Sequence, residues 1–296
     1  MFLDEAKVRS LLRMEELIPA MAEAMKVLSA GKVVQPMRQV LSIEPQGGFF
    51  GLMAAYGKAL GAKLVTFYPN NKGVPTHHAV IQLFRPETGE PLITMDGRLI
   101  TEMRTAAVSA VATDLLARRE VQTLAILGAG VQARSHLEAL RFVRHFREVR
   151  VWSPQSAARF ASEHGVAATA SAEKAVRGAD VVVVATAATT PILQGVWLSP
   201  GMHINAVGAT RPNWRELDDS VMKRSRLYVE SREAASKESG DVIAGGEIFA
   251  ELGEVIAGTK SGRESDEQIT LYKSVGVAIE DIAAADLVYR RATENR

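Results

Sequence analysis

A glycine-rich turn between two apolar segments is the first part of the sequence whose residue types and spacing could support chemistry. Residues 124–133 read LAILGAGVQA. This is a G-x-G-x-x-A version of the dinucleotide fingerprint, in which Gly128 permits a tight turn and Gly130 lets the backbone approach a pyrophosphate. Ala133 lets the next helix pack closely, and the N-terminus of that helix offers N–H donors to phosphates. We predict that residues 128–133 bind a dinucleotide.

The residues that should read the adenosine ribose favour one form of the cofactor. An NAD site usually has an acidic residue about 20 positions beyond the glycines, but residues 151–156 here read VWSPQS. Ser153 and Ser156 could hydrogen-bond a 2′-phosphate, and Arg150 or Arg159 could neutralise it. We therefore expect NADPH, with NADH as the alternative if this turn is only a solvated loop.

Three cations lie in apolar or strand-like surroundings in the first half of the chain. They are Arg38 in QPMRQV, Lys63 in GAKLVTF and Arg104 in TEMRTAA. Because an unpaired buried charge is costly, each should face an anion, an acid or water. Taken singly, each could be a surface cation or a salt-bridge partner. Together with a cofactor site, they could hold a substrate carboxylate, arginine doing so through two hydrogen bonds.

Neither metal nor nucleophilic chemistry is indicated. His77 and His78 are adjacent but have no acidic ligand nearby, so we expect one of them to form a hydrogen bond near the cofactor. The absence of cysteine excludes disulfides, thiolate catalysis and Cys-based zinc sites. Spacing reveals no serine triad and no paired carboxylates.

Composition narrows the choice of partners. Thirty-five basic and 34 acidic residues leave a formal charge of +1, so there is no strong field to attract nucleic acid or anionic lipid. The sequence has neither the apolar run of a signal peptide nor a segment long enough to span a membrane. We expect a cytoplasmic protein that acts on a small molecule.

These candidate residues must be positioned by two different kinds of structure. Residues 5–30 have helical spacing of apolar residues, and strand-like runs follow at 37–43, 49–54, 62–68 and 79–84, separated by hairpin-length turns. A long Ala-rich helix is predicted at 101–118. From residue 123 onward strands and helices alternate, which is typical of a parallel, doubly wound sheet.

The predicted fold class is α/β, a Rossmann-type doubly wound parallel sheet plus an α+β domain. The Rossmann domain should span residues 118–271, and residues 1–117 with 272–296 should form the other. A helix predicted at 272–290 would return to the first domain. At the sheet edge, Thr186 and Ala187 follow the fourth strand and Val207 to Ala209 follow the fifth, where ligands of such sheets bind.

Several segments carry a resemblance to a known family. GAGVQARSHLEAL, DGRLITEMRTAAVSA, INAVGATRPNWRELDD and EAASKESGDV followed by GGEIFAELGEVI are similar to the ornithine cyclodeaminase/mu-crystallin family. The match runs from QPMRQV to the KSVG motif, and within the family the sequence resembles the mu-crystallin branch, which implies a ketimine reductase. The resemblance implies a homodimer in which the first domain, completed by the C-terminal helix, is the α+β substrate and dimerisation domain.

It also implies roles for particular residues. Arg38, Lys63 and Arg104 match positions around a substrate carboxylate, and Glu238 matches a ligand-pocket position. The positions that match cofactor contacts are Thr76, His77, Arg104, Ala129, Val131, Gln132, Thr186, Ala187, Val207, Ala209 and Ser274.

Two departures from the family pattern affect the expected activity. Thr210 stands where the cyclodeaminases have an aspartate that helps to handle the substrate amine. Without that acid/base group, reduction is favoured over cyclodeamination. Ser153-Pro154 stands where mu-crystallin has the equivalent of Asn-Arg, which removes a cation that would favour NADPH without restoring an NAD-type acid.

The sequence therefore predicts NAD(P)H-dependent reduction of cyclic ketimines such as Δ1-piperideine-2-carboxylate or Δ1-pyrroline-2-carboxylate. Arg38 and Arg104 would hold the carboxylate, and Lys63 would polarise the imine or deliver its proton. The alternatives are an alanine-type or N-methyl-amino-acid dehydrogenase, an ornithine cyclodeaminase, and a non-catalytic protein that binds a carboxylate ligand together with NADPH.

Overall fold

The computed structural model describes residues 2–294. Contacts within the chain divide it into two units: unit 1 is Met1–Arg104 with Gly276–Arg296, and unit 2 is Thr105–Val275. The domain limits expected from sequence, 1–117 with 272–296 and 118–271, stay a prediction. No helix within the described residues has the length and hydropathy needed to cross a membrane.

Helices and strands are numbered in chain order. The strands are β1 (Phe2–Leu3), β2 (Gln39–Ile43), β3 (Gly48–Tyr56), β4 (Leu60–Phe67), β5 (His77–Phe84), β6 (Pro91–Asp96), β7 (Thr123–Leu127), β8 (Glu148–Trp152), β9 (Ala167–Ala168), β10 (Val181–Val184), β11 (His203–Ala206), β12 (Arg226–Val229), β13 (Ile248–Glu251) and β14 (Thr270–Lys273). The helices are α1 (Glu5–Leu11), α2 (Met14–Ser29), α3 (Arg98–Leu116), α4 (Val131–Leu140), α5 (Ala157–His164), α6 (Ala172–Val176), α7 (Asp219–Arg224), α8 (Arg232–Glu238), α9 (Gly240–Ile243), α10 (Leu252–Ile256) and α11 (Ala278–Glu294).

Unit 1 is built on a mixed sheet with strand order β1-β6-β5-β4-β3-β2. Strands β2 to β6 pair antiparallel, whereas β1 pairs parallel to β6. Strand residues alternate between two faces. One face carries buried Met53, Lys63, Ile81 and Met95, and α11 packs on β3, β4 and β5 as well as on α2. A charged lysine thus lies in an otherwise apolar layer.

The opposite face of this sheet is apolar but accessible. Leu64 pairs with Leu52 on one side and with Val80 on the other, and the exposed fractions of Leu64 and Val80 are 43% and 39%. Leu41 pairs with Phe50 on the same face, and Leu41 is 61% exposed. Such a contiguous exposed apolar surface is characteristic of an interaction site.

Unit 2 is a parallel sheet with strand order β13-β12-β14-β11-β10-β7-β8-β9. Its central strands are apolar and buried on both faces, as the Val181–Val184 run of β10 illustrates. The strand order reverses at β7, so the carboxyl end of β7 is a topological switch point, the usual ligand position in such folds. The predicted fold class is confirmed.

The end of the chain differs from the sequence-based prediction. Tyr272 does not begin the last helix; it lies in β14, which pairs with both β11 and β12. The helix begins at Ala278, after Gly276 with a φ of 74°. The four-residue strand was missed because it is too short to reveal an alternating pattern and an Ala-rich helix follows it almost directly. Strand β13 was missed as well.

Candidate active site

The glycine turn of unit 2 has the geometry that the fingerprint predicts. Gly128 follows β7 with a φ of 115°, a conformation that residues with a side chain rarely adopt. Its N–H donates to the Trp152 carbonyl oxygen at 2.8 Å. A Cβ built on Gly128 would overlap the backbone carbonyl of Ala185. The first glycine is therefore required for the close approach of the loops that follow β7 and β10.

The N-terminus of α4 is suited to hold a pyrophosphate. Gly130 is its N-cap residue, and no side chain in the described part of the chain caps the helix there. A Cβ on Gly130 would meet nothing within 4 Å among residues 2–294, so there is open space at this point. Ala133 is fully buried against the sheet. Uncapped N–H groups facing open space form a phosphate cradle, so the residues present fit a dinucleotide.

Ser153 lies after the end of β8, where a ribose-reading residue is expected, but Arg150 has partners elsewhere. Half-buried Ser153 follows the end of β8. Arg150 donates from Nη1 to the Arg177 carbonyl oxygen at 2.9 Å and from Nη2 to Glu148 at 2.6 Å. Since Arg177 precedes β10, Arg150 points toward the amino ends of the strands, away from Ser153. It is not available for a 2′-phosphate.

Arg159, the other arginine considered for that phosphate, is also engaged. Its Nε donates to Glu163 at 2.7 Å, one helical turn further along α5. The pair lies on the helix surface, where it is worth little and can be exchanged for another partner. The choice between NADPH and NADH therefore rests on Ser153 and on the absence of an acid at this position.

The other predicted cofactor residues of unit 2 lie in the loops after three neighbouring strands. Thr186 and Ala187 follow β10, Val207 and Ala209 follow β11, and Ser274 follows β14. The Ser274 hydroxyl donates to Glu230 at 2.6 Å, which fixes its direction. Because β10, β11 and β14 are adjacent and parallel, these loops meet at one edge of the sheet.

The cations predicted from sequence are brought together in unit 1, but around two acids that were not predicted. Lys63, on β4, lies with its Nζ atom 2.6 Å from Asp281 Oδ2, and both side chains are almost completely buried. Lys63 Nζ also donates to Thr101 Oγ1 at 3.4 Å. Asp281 lies in the first turn of α11, the helix that packs on β4. This acid accounts for the tolerance of a lysine in the core.

Arg104, on α3, shares the same aspartate. Its Nε donates to Asp281 Oδ1 at 3.0 Å, and its Nη1 donates to Glu280. Arg104 is 5% exposed, and Glu280 and Asp281 are fully buried. Asp281 thus bridges the two cations, one at each carboxylate oxygen.

Arg38 completes the group of cations. It is half-buried, and its Nη2 donates to the Gly276 carbonyl oxygen at 2.5 Å. A Cβ on Gly276 would lie 2.6 Å from Arg104 Nη1, so the glycine is needed for the two arginines to share this loop. Three positive charges against two negative charges leave one positive charge in excess. A site of this charge suits a ligand with a single carboxylate.

The two unpredicted acids could have been suspected from one feature. Glu280 and Asp281 are consecutive acids in an otherwise apolar stretch, VGVAIEDIAAA. Charges in such a stretch must be paired when it is buried. The spacing could not identify their partners, because Lys63 and Arg104 are remote in sequence.

Burial and charge together set the ionisation of this group. Burial lowers the pKa of Lys63 to about 8, while the Asp281 carboxylate acts in the opposite direction. Burial alone would raise the pKa of Asp281, but the positive charges of Arg104 and Lys63 hold it below its usual value. Lys63 can therefore exchange a proton near neutral pH, whereas Asp281 stays ionised.

His77 lies at the start of β5 beside the cations. Burial, reinforced by the positive charge of Lys63, lowers its pKa to about 4. The imidazole is therefore neutral at pH 7 and available for a hydrogen bond. Thr76, exposed just before β5, accepts a hydrogen bond from Tyr68 N through its backbone oxygen at 2.7 Å.

Glu238 belongs to the other unit of the chain. It is the half-buried last residue of α8 in unit 2, whereas Arg38, Lys63 and Arg104 belong to unit 1. Its ligand-pocket role stays a prediction.

Comparisons with known proteins agree with the fold. The ornithine cyclodeaminase/mu-crystallin family model matches residues 1–296. Ketimine reductase mu-crystallin of Mus musculus is 50% identical over 302 residues, which cover 97% of this chain and 96% of that protein.

Two solved structures extend the similarity. Thermococcus litoralis Δ1-pyrroline-2-carboxylate reductase, in complex with NADH and L-proline, superposes with a TM-score of 0.95 at 40% identity, covering 100% of this chain and 98% of that one. An archaeal alanine dehydrogenase dimer with bound NAD superposes with a TM-score of 0.94 at 36% identity, covering 100% and 96%. Since the family model covers the whole chain and these relatives share its fold, this chain belongs to the ornithine cyclodeaminase/mu-crystallin family.

Proposed function

We propose that this chain is an NAD(P)H-dependent reductase of cyclic α-imino acids, in which a C=N bond lies next to a carboxylate. The observation that carries the proposal is the buried group of Lys63, Arg104 and Asp281, with Arg38 beside it. It combines an excess positive charge for a carboxylate with an ammonium group that can release a proton. Relatives named for ketimine and pyrroline-2-carboxylate reduction support the same chemistry.

Reduction of the imine needs a hydride at carbon and a proton at nitrogen. A nicotinamide dinucleotide bound at the Gly128 turn supplies the hydride and is oxidised. Arg104 and Arg38 hold the substrate carboxylate, which orients the imine carbon. Lys63 donates the proton to the nitrogen, so the product is the cyclic amino acid. Asp281 favours the charged form of the Lys63 ammonium and fixes its position, since Asp281 Oδ2 lies 2.6 Å from Lys63 Nζ.

NADPH is the preferred donor in this proposal. The end of β8 carries Ser153 and no acid, so no carboxylate repels a 2′-phosphate there. The relatives of known structure have NADH or NAD bound, which keeps NADH as a competing donor. The ratio of kcat/KM for NADPH and NADH, measured with one imino acid, decides between them.

A homodimer is the second part of the proposal. The exposed apolar face that includes Leu41, Leu64 and Val80 belongs to unit 1. A second copy of this chain is the natural partner for this face, since the 36% identical archaeal relative is a dimer. Burying these leucines and valines would stabilise the pair through the hydrophobic effect.

One alternative reaction has an observation in its favour. The archaeal relative with a TM-score of 0.94 is an alanine dehydrogenase, which suggests reductive amination of a keto acid. The two activities are separated by substrate. Rapid NADPH oxidation with preformed Δ1-piperideine-2-carboxylate, and slow oxidation with pyruvate and ammonia or methylamine, supports imine reduction. The opposite order would establish the amino-acid dehydrogenase.

A further inference from the structure

A buried charge cluster in unit 2 has no part in the reaction described above. Lys273, the last residue of β14, donates through Nζ to the Gly208 carbonyl oxygen. The same atom lies 3.2 Å from Glu216 Oε1 and 3.3 Å from Asp241 Oδ2. All three side chains are completely buried. Charges buried this deeply are costly unless they are paired and hydrogen-bonded, as these three are.

Glu216 contacts two of the loops that carry predicted cofactor residues, those after β10 and β11. Its Oε1 accepts a hydrogen bond from Gly208 N, after β11, at 2.8 Å. Its Oε2 accepts one from Thr186 Oγ1, after β10, at 3.5 Å. A Cβ on Gly208 would overlap both the Glu216 carboxylate and the Thr186 carbonyl oxygen. The carboxylate therefore fills the space between the two loops and fixes their separation.

The residue after Gly208 has an unfavourable backbone conformation. Ala209 has a φ of 51°, and within the described residues it is the only non-glycine with a positive φ. It is 2% exposed, so neighbouring groups enclose it on nearly all sides. Such strain persists where neighbouring contacts enforce it, and it clusters at ligand sites. Here the neighbouring Gly208 is held at its N–H by Glu216 and at its C=O by Lys273.

The strand order indicates which half of the dinucleotide these loops serve. The adenosine ribose is read at the end of β8, on one side of β7. The loops after β10, β11 and β14 lie on the other side of β7 in the sheet. In a doubly wound sheet the two nucleotide halves bind on the two sides of the switch point. Glu216 is therefore on the nicotinamide side.

We propose that Glu216 is a positioning residue for the nicotinamide half of the bound dinucleotide. As the anion, it holds Thr186, Gly208 and the strained Ala209 in the shape that accepts the ring. The inference rests on the proposed function only in that the chain binds a nicotinamide dinucleotide. It does not depend on which substrate is reduced.

The groups around Glu216 make its action dependent on pH. Lys273 faces it from β14 and Asp241 from α9, while Arg215 Nε lies 3.9 Å from Asp241. Burial raises the pKa of Glu216 to about 7; the Lys273 charge lowers it and the Asp241 charge raises it. Below that pH the carboxyl is protonated and a weaker acceptor for Gly208 N and Lys273. Ring binding should then weaken as the pH falls.

The test compares two ligands by titration calorimetry between pH 6 and pH 8. One is NADPH, and the other is 2′-phospho-ADP-ribose, which lacks the nicotinamide ring. Both ligands carry the 2′-phosphate, so the effect of its titration cancels in the ratio of their Kd values. In the unaltered protein the preference for NADPH should increase with pH through about 7. A flat ratio would overturn the proposal without any variant.

Glu216→Gln gives the second readout. At pH 8 NADPH binding should weaken about 10-fold, the scale of one charge-assisted hydrogen bond, and its preference over the ringless ligand should no longer vary with pH. Binding of 2′-phospho-ADP-ribose should be unchanged, as should both ligands in the control Glu173→Gln on the surface of α6. Equal weakening of both ligands would mean that Glu216 only supports the fold, and would overturn the proposal.

A third variant tests the strain directly. Ala209→Gly, added to Glu216→Gln, should restore part of the lost NADPH affinity, because glycine adopts a positive φ without strain. No restoration would contradict the role of Ala209. None of these measurements uses imine turnover, so a protein that binds NADPH but reduces no imino acid would leave this inference intact.

Discussion

Lys63 and Asp281 form an ion pair with 2.6 Å between Nζ and Oδ2, inside the layer where α11 packs on the sheet of unit 1. The aspartate also accepts from Arg104, so one carboxylate sets the position of both the candidate proton donor and the candidate carboxylate-binding residue. The reaction should therefore be sensitive to Asp281 even though that side chain need not touch the substrate.

The first prediction concerns the pH profile of Asp281→Asn. The pKa of Lys63 is about 8, so kcat/KM for an imino acid should fall as the pH rises through 8 and the ammonium is lost. Asparagine removes the negative charge that raises this pKa, so the fall should begin at lower pH. Both proteins are measured with the same substrate, so the titration of the imine affects both pH profiles equally and cancels in their comparison. The matched control is Glu23→Gln, an exposed acid of α2, and an unmoved alkaline limb in Asp281→Asn would refute the assignment of Lys63.

The second prediction concerns Arg104. Arg104→Lys keeps a positive charge but loses the planar, two-bond recognition of a carboxylate, so KM should rise and kcat/KM should fall at least about 10-fold. Arg104→Ala should lower kcat/KM further. It should also destabilise the fold by about 3–5 kcal/mol, because it removes a cation that pairs with two buried carboxylates. Steady-state kinetics and thermal melts measure the two effects separately. A lysine variant with an unchanged KM would argue against carboxylate binding.

The structural features that the sequence predicts well are those determined by residues that are adjacent in the chain. The Gly128 turn requires only a strand, two glycines and a helix in succession, and all are contiguous in the chain. Its conformation follows from the steric limits on residues that carry a Cβ. The cations Arg38, Lys63 and Arg104 could likewise be selected because each interrupts an apolar segment.

What sequence did not reveal depends on contacts between distant segments. Asp281 pairs with Lys63 only because α11 packs on β4, and no periodicity in either segment specifies that packing. Lys273 was read as helical, yet in β14 it reaches Glu216 and Asp241. The direction of Arg150 also depends on a partner, the Arg177 carbonyl, that the sequence pattern does not identify.

The third prediction concerns cofactor choice at Ser153. Ser153→Asp places an acid at the end of β8, where it would accept from a ribose 2′-hydroxyl and repel a 2′-phosphate. The ratio of kcat/KM for NADPH to that for NADH should fall at least about 10-fold, the equivalent of about 1.4 kcal/mol. Ser156→Asp, at the exposed start of α5, is the comparison variant and should change the ratio less. If both variants leave the ratio unaltered, this loop does not read the ribose.

The fourth prediction concerns assembly through the apolar face of unit 1. Leu64→Glu introduces a charge beside Leu52 and Val80, which a dimer interface there could not solvate. The variant should sediment as a monomer at concentrations where the unaltered protein is a dimer. Gln46→Glu adds the same charge at an exposed turn and should leave the dimer intact. A dimer that persists in Leu64→Glu would locate the interface elsewhere.

The most direct test of the account is the reduction of a preformed cyclic imine by the purified protein. With Δ1-piperideine-2-carboxylate or Δ1-pyrroline-2-carboxylate and NADPH, at pH 5 and pH 7, the proposed function predicts saturable NADPH oxidation. One pipecolate or proline should form for each NADPH consumed, and the rate should fall sharply in Arg104→Lys. If the protein binds NADPH but oxidises it no faster with any imino acid than without one, the central claim is wrong.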